Sequence, residues 1–159
     1  MNDVGSRSRR RLTVAIRASL RDLHTQLSLL NHHIGTRVEL KDVELDCLDL
    51  LDQHGALSPS ALAKLAGLHP ATLTGILDRL ERAGWLRRDR DTADRRAVVI
   101  RPVRDRGAEV LRLYGGMNGS LSQIFATYNE NQLELLADFL RRAADAGRQA
   151  AGDLAGGTP

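Results

Sequence analysis

The sequence predicts a mainly α-helical protein with one small β-hairpin, and three observations carry that reading. Long stretches at both ends space their apolar residues three and four apart. Two short segments in the middle each begin with a capping residue followed by proline. Between residues 85 and 102 the period changes, and a β-branched run follows a polar stretch rich in arginine.

The elements follow in order. Residues 1 to 9 are polar and read as frayed. From Leu12 the apolar positions run Ile16, Leu20, Leu23, Leu27, Leu30 and Ile34, one stripe of a long amphipathic helix expected to stop at Gly35. A second stripe, Leu40, Val43, Cys47, Leu50 and Leu51, ends at Gly55. Ser58 then offers a side-chain oxygen to exposed helix amides and Pro59 suits the first helical position. Gly67 closes that short helix, and His69-Pro70 opens another carrying Leu73, Ile76, Leu77 and Leu80 inward. Two short helices joined by a glycine-containing turn form a helix-turn-helix pattern. Trp85-Leu86 and Ala97 to Ile100 are the expected strands, with Arg87 to Arg96 as a long polar tip. Beyond Pro102 helical spacing resumes through Val110, Tyr114, Leu121 and Ile124, weakened by Gly115, Gly116 and Gly119. A last helix begins near Leu133. The expected organisation is a helix over 10–36, a compact module over 37–103, helices over 104–151 and a disordered tail over 152–159.

Charge separates these regions. Of 23 cationic residues only Lys41 and Lys64 are lysine, and arginine suits phosphate oxygens, guanine edges and narrow grooves. Glu39 to Asp52 holds six acids against Lys41, whereas Arg87 to Arg106 holds eight arginines against four aspartates. A basic hairpin beside a helix-turn-helix is an electrostatic footprint for nucleic acid. The lone Cys47 excludes an intramolecular disulfide and a multi-cysteine zinc site, and its place on an apolar stripe reads as a buried inert thiol. His24, His32, His33, His54 and His69 contain no i, i+4 pair, so no metal or cofactor is expected. A glycine-rich phosphate loop, a His-Glu-x-x-His motif and a nucleophile elbow are all missing, which argues against an enzyme. No apolar run reaches the roughly 18 residues of a membrane span. Arg17 and Arg21 interrupt the segment after the Arg7 to Arg11 cluster, leaving a poor signal-peptide core; a cytoplasmic location is expected.

The stretch from Leu57 to Leu86, with Asp78-Arg79-Leu80-Glu81, Gly84 and the later Asp91 and Asp94-Arg95-Arg96, resembles the MarR family of bacterial transcriptional regulators. The resemblance covers about half of the chain. It implies a winged helix-turn-helix with a helical dimerisation region, a homodimer on a pseudo-palindromic operator in double-stranded DNA. A repressor function is expected, with release by a small-molecule effector. The second helix of the motif would enter the major groove and the hairpin the adjacent minor groove. Many members carry Leu-Thr-x-x-Gly after the hairpin; here Pro102-Val103-Arg104-Asp105-Arg106-Gly107 stands instead, with Asp105 the expected cap of the next helix.

On this reading the DNA-contacting set is Ser58, Ser60, Ala71, Thr72, Thr74, Gly75, Arg79, Arg90, Arg95 and Arg96. Small side chains on the second helix suit base edges, with methyl groups for thymine and hydroxyls for bases or phosphates. The arginines suit a narrow minor groove. The mid-helix Gly75 costs roughly 1 kcal/mol against alanine and implies a close approach of backbone to a partner. Trp85 is expected to pack between hairpin and core. His24, His32 and Tyr114 are the candidates for lining an effector cleft between the terminal helices and the central module. Two other readings compete: a winged-helix module for protein interaction, and a nonspecific architectural DNA binder.

Overall fold

A computed structural model describes residues 3–90 and 97–156. Of the expected polar tip Arg87 to Arg96, the first four residues are strand instead, paired across the ladder with 98–101. Residues 91–96, with Arg95 and Arg96, and the last residues of the tail lie outside the described residues. The chain forms two units, Met1–Leu113 and Tyr114–Pro159.

The first unit opens with α1, Asp3–Val38. It starts earlier and ends later than its apolar stripe suggests, because the polar opening residues are helix-compatible and Gly35 does not terminate it. Gly35 is buried inside the last turn for a packing reason. A Cβ there would stand 2.7 Å from the carbonyl oxygen of Leu40, whose own N–H donates to the Gly35 carbonyl at 2.8 Å. The chain turns back so tightly that only a residue without a side chain fits. Glu39, at a φ of 59°, makes that reversal.

Helix α2, Asp42–His54, follows. Leu45, Cys47 and Leu51 are buried on it, and so is Glu44, an acid that the apolar spacing alone does not mark as interior. Helix α3, Pro59–Ala66, begins as the sequence predicts: the Ala61 N–H donates to Ser58 Oγ at 3.2 Å. It ends at Gly67, whose φ of 64° is the left-handed conformation favoured by glycine. Helix α4, Pro70–Arg82, is capped by His69 Nδ1, which accepts from the Ala71 N–H at 3.3 Å. Leu73, Leu77 and Leu80 are its buried face.

The hairpin consists of β1, Leu86–Arg90, and β2, Val98–Pro102, antiparallel with Leu86 opposite Pro102 and Arg90 opposite Val98. Its root is fastened to the segment before α3 by two reciprocal bonds. The Leu57 N–H donates to the Ile100 carbonyl at 3.2 Å, and the Ile100 N–H to the Leu57 carbonyl at 2.7 Å. Trp85, Leu86, Val99 and Ile100 join the leucines of α2, α3 and α4 in one apolar core. Arg106 stacks its guanidinium over the Trp85 ring at 4.2 Å, a cation–π contact that packs Trp85 at the hairpin base as expected.

Helix α5, Arg104–Leu113, closes the unit. The expected cap at Asp105 is corrected here. The Val103 carbonyl accepts from the Gly107 N–H at 3.1 Å, so the helix begins two residues earlier, at Arg104. Asp105 instead lies in its first turn, where a carboxylate favours the positive end of the helix dipole.

The second unit holds α6, Gly115–Phe125, and α7, Glu130–Gly156. The expected single helix from Val110 to Ile124 is thus two, divided at Tyr114-Gly115. Asn129 and Gln132 cap α7 reciprocally: each backbone N–H donates to the other's side-chain oxygen, at 2.9 and 3.0 Å. The disordered tail expected over 152–159 is helical as far as Gly156. Alanines between Gly147 and Gly152, with Arg148 bonded to Asp145 and Gln149 to Asp153 at 3.0 Å, support the extra turns. Large apolar side chains stay exposed on α7, among them Leu135, Leu136, Phe139 and Leu140, and on α1, among them Leu12, Ile16, Leu23 and Leu27.

Candidate nucleic-acid interface

Helix α4 presents a face of small groups. Its apolar residues at 73, 77 and 80 face inward, which leaves Ala71, Thr72, Thr74, Gly75 and Asp78 exposed on the opposite side. The Thr74 hydroxyl donates back to the Pro70 carbonyl at 3.0 Å, so it is engaged within the helix. A Cβ added at Gly75 would meet nothing within 4 Å. Among the described residues, therefore, no contact accounts for a glycine in mid-helix. Ser58 and Ser60 stand at the start of α3 with their Oγ atoms 3.1 Å apart, Ser58 engaged as cap and Ser60 exposed.

The Asp78-Arg79-Leu80-Glu81 signature does something that sequence reasoning missed. Arg88, on β1, donates to Asp78 Oδ1 at 2.6 Å and to the Glu81 carboxylate, while its own backbone N–H donates to Glu81 Oε1 at 3.2 Å. Two carboxylates one turn apart on α4 thus clamp the hairpin through one arginine. Arg79 reaches the other way: its Nη2 lies 3.1 Å from Glu44 Oε2. Glu44 is buried, and also accepts the Lys41 N–H at 2.8 Å, closing the first turn of α2. Charge pairing of a buried carboxylate is what permits its burial. Arg79, placed by sequence among the DNA contacts, ties α4 to α2 through this pair while its side chain stays 45% exposed. The visible signal was Glu44 three residues after Lys41, but lysine is not a usual cap and hid the pattern.

Arg90, at the end of β1, is exposed and makes no ion pair among the described residues. Arg95 and Arg96 lie beyond it, outside the described residues. The remaining hairpin arginines, Arg87 and Arg101, both reach Asp89.

Three groups on α2 are shifted, and one of them, the Asp46 carboxyl, is raised by burial and then by Asp42. Burial, with Asp46 and Glu44 adding, pushes the Cys47 thiol up to about 11, and the side chain is fully enclosed: a protonated, unreactive thiol at neutral pH. Burial, then Asp46 and Asp52, raises the Asp49 carboxyl to about 6.

Of the three effector candidates, His32 pairs with an acid of α2. Its Nδ1 stands 3.3 Å from Asp42 Oδ1, at an open groove of about 450 Å³ shared with Thr36, Leu40 and Val43. His24 is exposed two turns earlier on α1, and Tyr114 opens the second unit. Among the described residues no group of three His, Cys, Asp or Glu could hold a metal ion, and no helix is long and apolar enough to cross a membrane.

A helix-turn-helix whose second helix turns small groups outward, with an arginine-bearing hairpin locked to it, defines a winged-helix DNA-binding regulator. The profile of the MarR family matches residues 40–98. The chain is 32% identical over 125 residues to the HTH-type transcriptional regulator YcgE of Bacillus subtilis, covering 79% of this chain and 81% of that one. It is 27% identical over 124 residues to the HTH-type transcriptional repressor YetL of the same organism, covering 77% and 74%. A MarR family protein from Bacillus stearothermophilus has the same fold, with a TM-score of 0.65 at 20% identity over 86% of this chain and 95% of that one. The chain belongs to the MarR family of transcriptional regulators.

Proposed function

We propose that the protein is a cytoplasmic homodimeric repressor that binds a pseudo-palindromic operator and is released by a small-molecule effector. The observation that carries the DNA-reading part is the exposed small-residue face of α4. Ala71, Thr72, Thr74 and Gly75 meet base edges in the major groove, and the start of α3, with Ser58 and Ser60, meets backbone phosphate. Arg90, Arg95 and Arg96 enter the neighbouring minor groove. Arg79 acts by positioning α4 through Glu44. Dimerisation is supported by the exposed leucines of α1 and α7, since patches of that kind mark interfaces. Repression is supported by the name of YetL. The effector site proposed from sequence includes His24, His32 and Tyr114, and an effector releases DNA by binding the DNA-free conformation better.

The test is footprinting on the chain's own promoter region with Thr72→Val and Arg96→Ala beside the wild type, repeated over a range of salt. A homodimer protects two half-sites about one helical turn apart. Arg96→Ala weakens operator and random DNA alike and lowers the salt slope by about one unit. Thr72→Val loses on the operator alone, by roughly 1–3 kcal/mol. Uniform protection without half-sites would identify an architectural binder instead.

A further inference from the structure

The root of the hairpin carries a group of charges used neither by the outward face of α4 nor by the Arg88 clamp. Side chains alternate along a strand, so with Arg88 turned to α4, Arg87 and Asp89 occupy the other face of β1. There a cleft of about 450 Å³ opens between the end of α2 and the base of the hairpin, its wall including Asp52, Gly55, Arg87, Arg101, Pro102 and Arg104. Arg87 and Arg101 stand directly opposite each other in the ladder, an arrangement in which like charges repel. Both Nε atoms converge on one oxygen, Asp89 Oδ2, at 3.1 and 3.3 Å. That shared carboxylate sets the two guanidinium groups side by side and leaves their terminal nitrogens unbonded among the described residues. Arg104 is exposed and has no ion pair among the described residues. It also opens α5, the end of a helix where a cation is disfavoured. Three guanidinium groups therefore face Asp52 and the already shared Asp89.

We propose that this cleft binds a small, multiply charged oxyanion, a free phosphate compound or polycarboxylate, held by Arg87, Arg101 and Arg104. Planar guanidinium forks donate in pairs to such oxygens, and the volume falls within the range of small-molecule sites. Among the described residues no aromatic ring lines the cleft, so selection is by charge and not by stacking. The site is separate from the groove at His32, and it does not depend on the operator-binding reading.

The experiment titrates inorganic pyrophosphate into the full chain at constant ionic strength, followed by calorimetry. Fluorescence of Trp85, the only tryptophan, provides a second signal, because its carbonyl accepts the N–H of Val103 in the cleft wall at 2.9 Å. Saturable binding of one pyrophosphate per chain is expected. Arg101→Gln and Arg104→Gln, on separate elements, each weaken it at least tenfold. Arg90→Gln removes the same charge from the hairpin outside the cleft and leaves it unchanged. An equal loss in Arg90→Gln would reduce the effect to diffuse counterion attraction and overturn the proposal. So would the lack of saturable binding, including the case where the two cleft variants weaken only duplex DNA binding, which would assign the arginines to the DNA backbone.

Discussion

The same substitution, glycine to alanine inside a helix, will move stability in opposite directions at Gly75 and Gly35. Alanine gains up to about 1 kcal/mol over glycine in a helix interior, much of it by restricting the unfolded chain. At Gly75 the new methyl meets nothing within 4 Å, so about 0.5–1 kcal/mol of that gain is realised. At Gly35 the methyl lands 2.7 Å from the Leu40 carbonyl oxygen and 3.2 Å from Leu45 Cδ1. The oxygen is backbone, held close by the Leu40 N–H bond to Gly35 at 2.8 Å, and cannot step aside like a side chain. Overpacking costs about 1–3 kcal/mol, and a backbone atom at 2.7 Å that cannot yield puts Gly35 in the upper part of that range. After the helix gain, Gly35→Ala is therefore less stable by about 1–2 kcal/mol. For a chain of this size those changes correspond to melting shifts of roughly 2–3 °C upward and 3–6 °C downward. Calorimetric melting at one fixed protomer concentration reads both. Gly75→Ala carries a second expectation: its methyl intrudes where bases approach, so operator affinity falls about tenfold or more while random-DNA affinity holds. A stabilised Gly75→Ala that binds operator like the wild type would remove this stretch of α4 from the DNA contact. A stabilised Gly35→Ala would refute the close passage of Leu40.

Three other outcomes are expected. In a double-mutant cycle of Glu44→Gln and Arg79→Gln, the glutamine at 44 keeps an acceptor for the Lys41 N–H, so the cycle isolates the ion pair. With side chains 2% and 45% exposed, a coupling of about 1–2 kcal/mol in urea denaturation lies between exposed and buried pairs, and one near zero would make the contact incidental. Asp49, raised to about 6 when folded against about 3.9 unfolded, favours the folded state in its neutral form. That contribution is complete below the unfolded value and is lost as pH rises through the folded one. Asp49→Asn is therefore more stable than the wild type at pH 7 and equal to it near pH 4, and parallel denaturation curves across this range would sink the assignment. Cys47, enclosed and held protonated, reacts with a thiol reagent at pH 8 only at the rate of unfolding; rapid labelling of native protein would contradict its burial.

The sequence was most informative where a single residue type has a single local use. Ser58-Pro59, Gly67 and His69-Pro70 marked the bounds of α3 and α4 because capping and left-handed closure are decided within a few residues. The outward face of α4 followed from the inward spacing of its leucines. Gly35 misled because glycine either ends a helix or lets another strand of chain pass close, and only the position of Leu40 distinguishes the two. The Glu44–Arg79 pair was illegible for a similar reason: it joins residues 35 apart in sequence, and neither carries a local sign of its partner. The division at Tyr114-Gly115 sits among glycines that weaken a helix without saying where it breaks.

The paired bonds between Leu57 and Ile100 have a mechanical consequence. They make the entry to the helix-turn-helix and the returning strand of the hairpin one continuous piece, while Arg88 ties the outgoing strand to α4. On the proposed reading, in which α4 enters the wide groove and the hairpin the narrow one, the two are coupled like two prongs of a fork. An input that tilts one prong then tilts the other, and helix and hairpin engage or leave the duplex together.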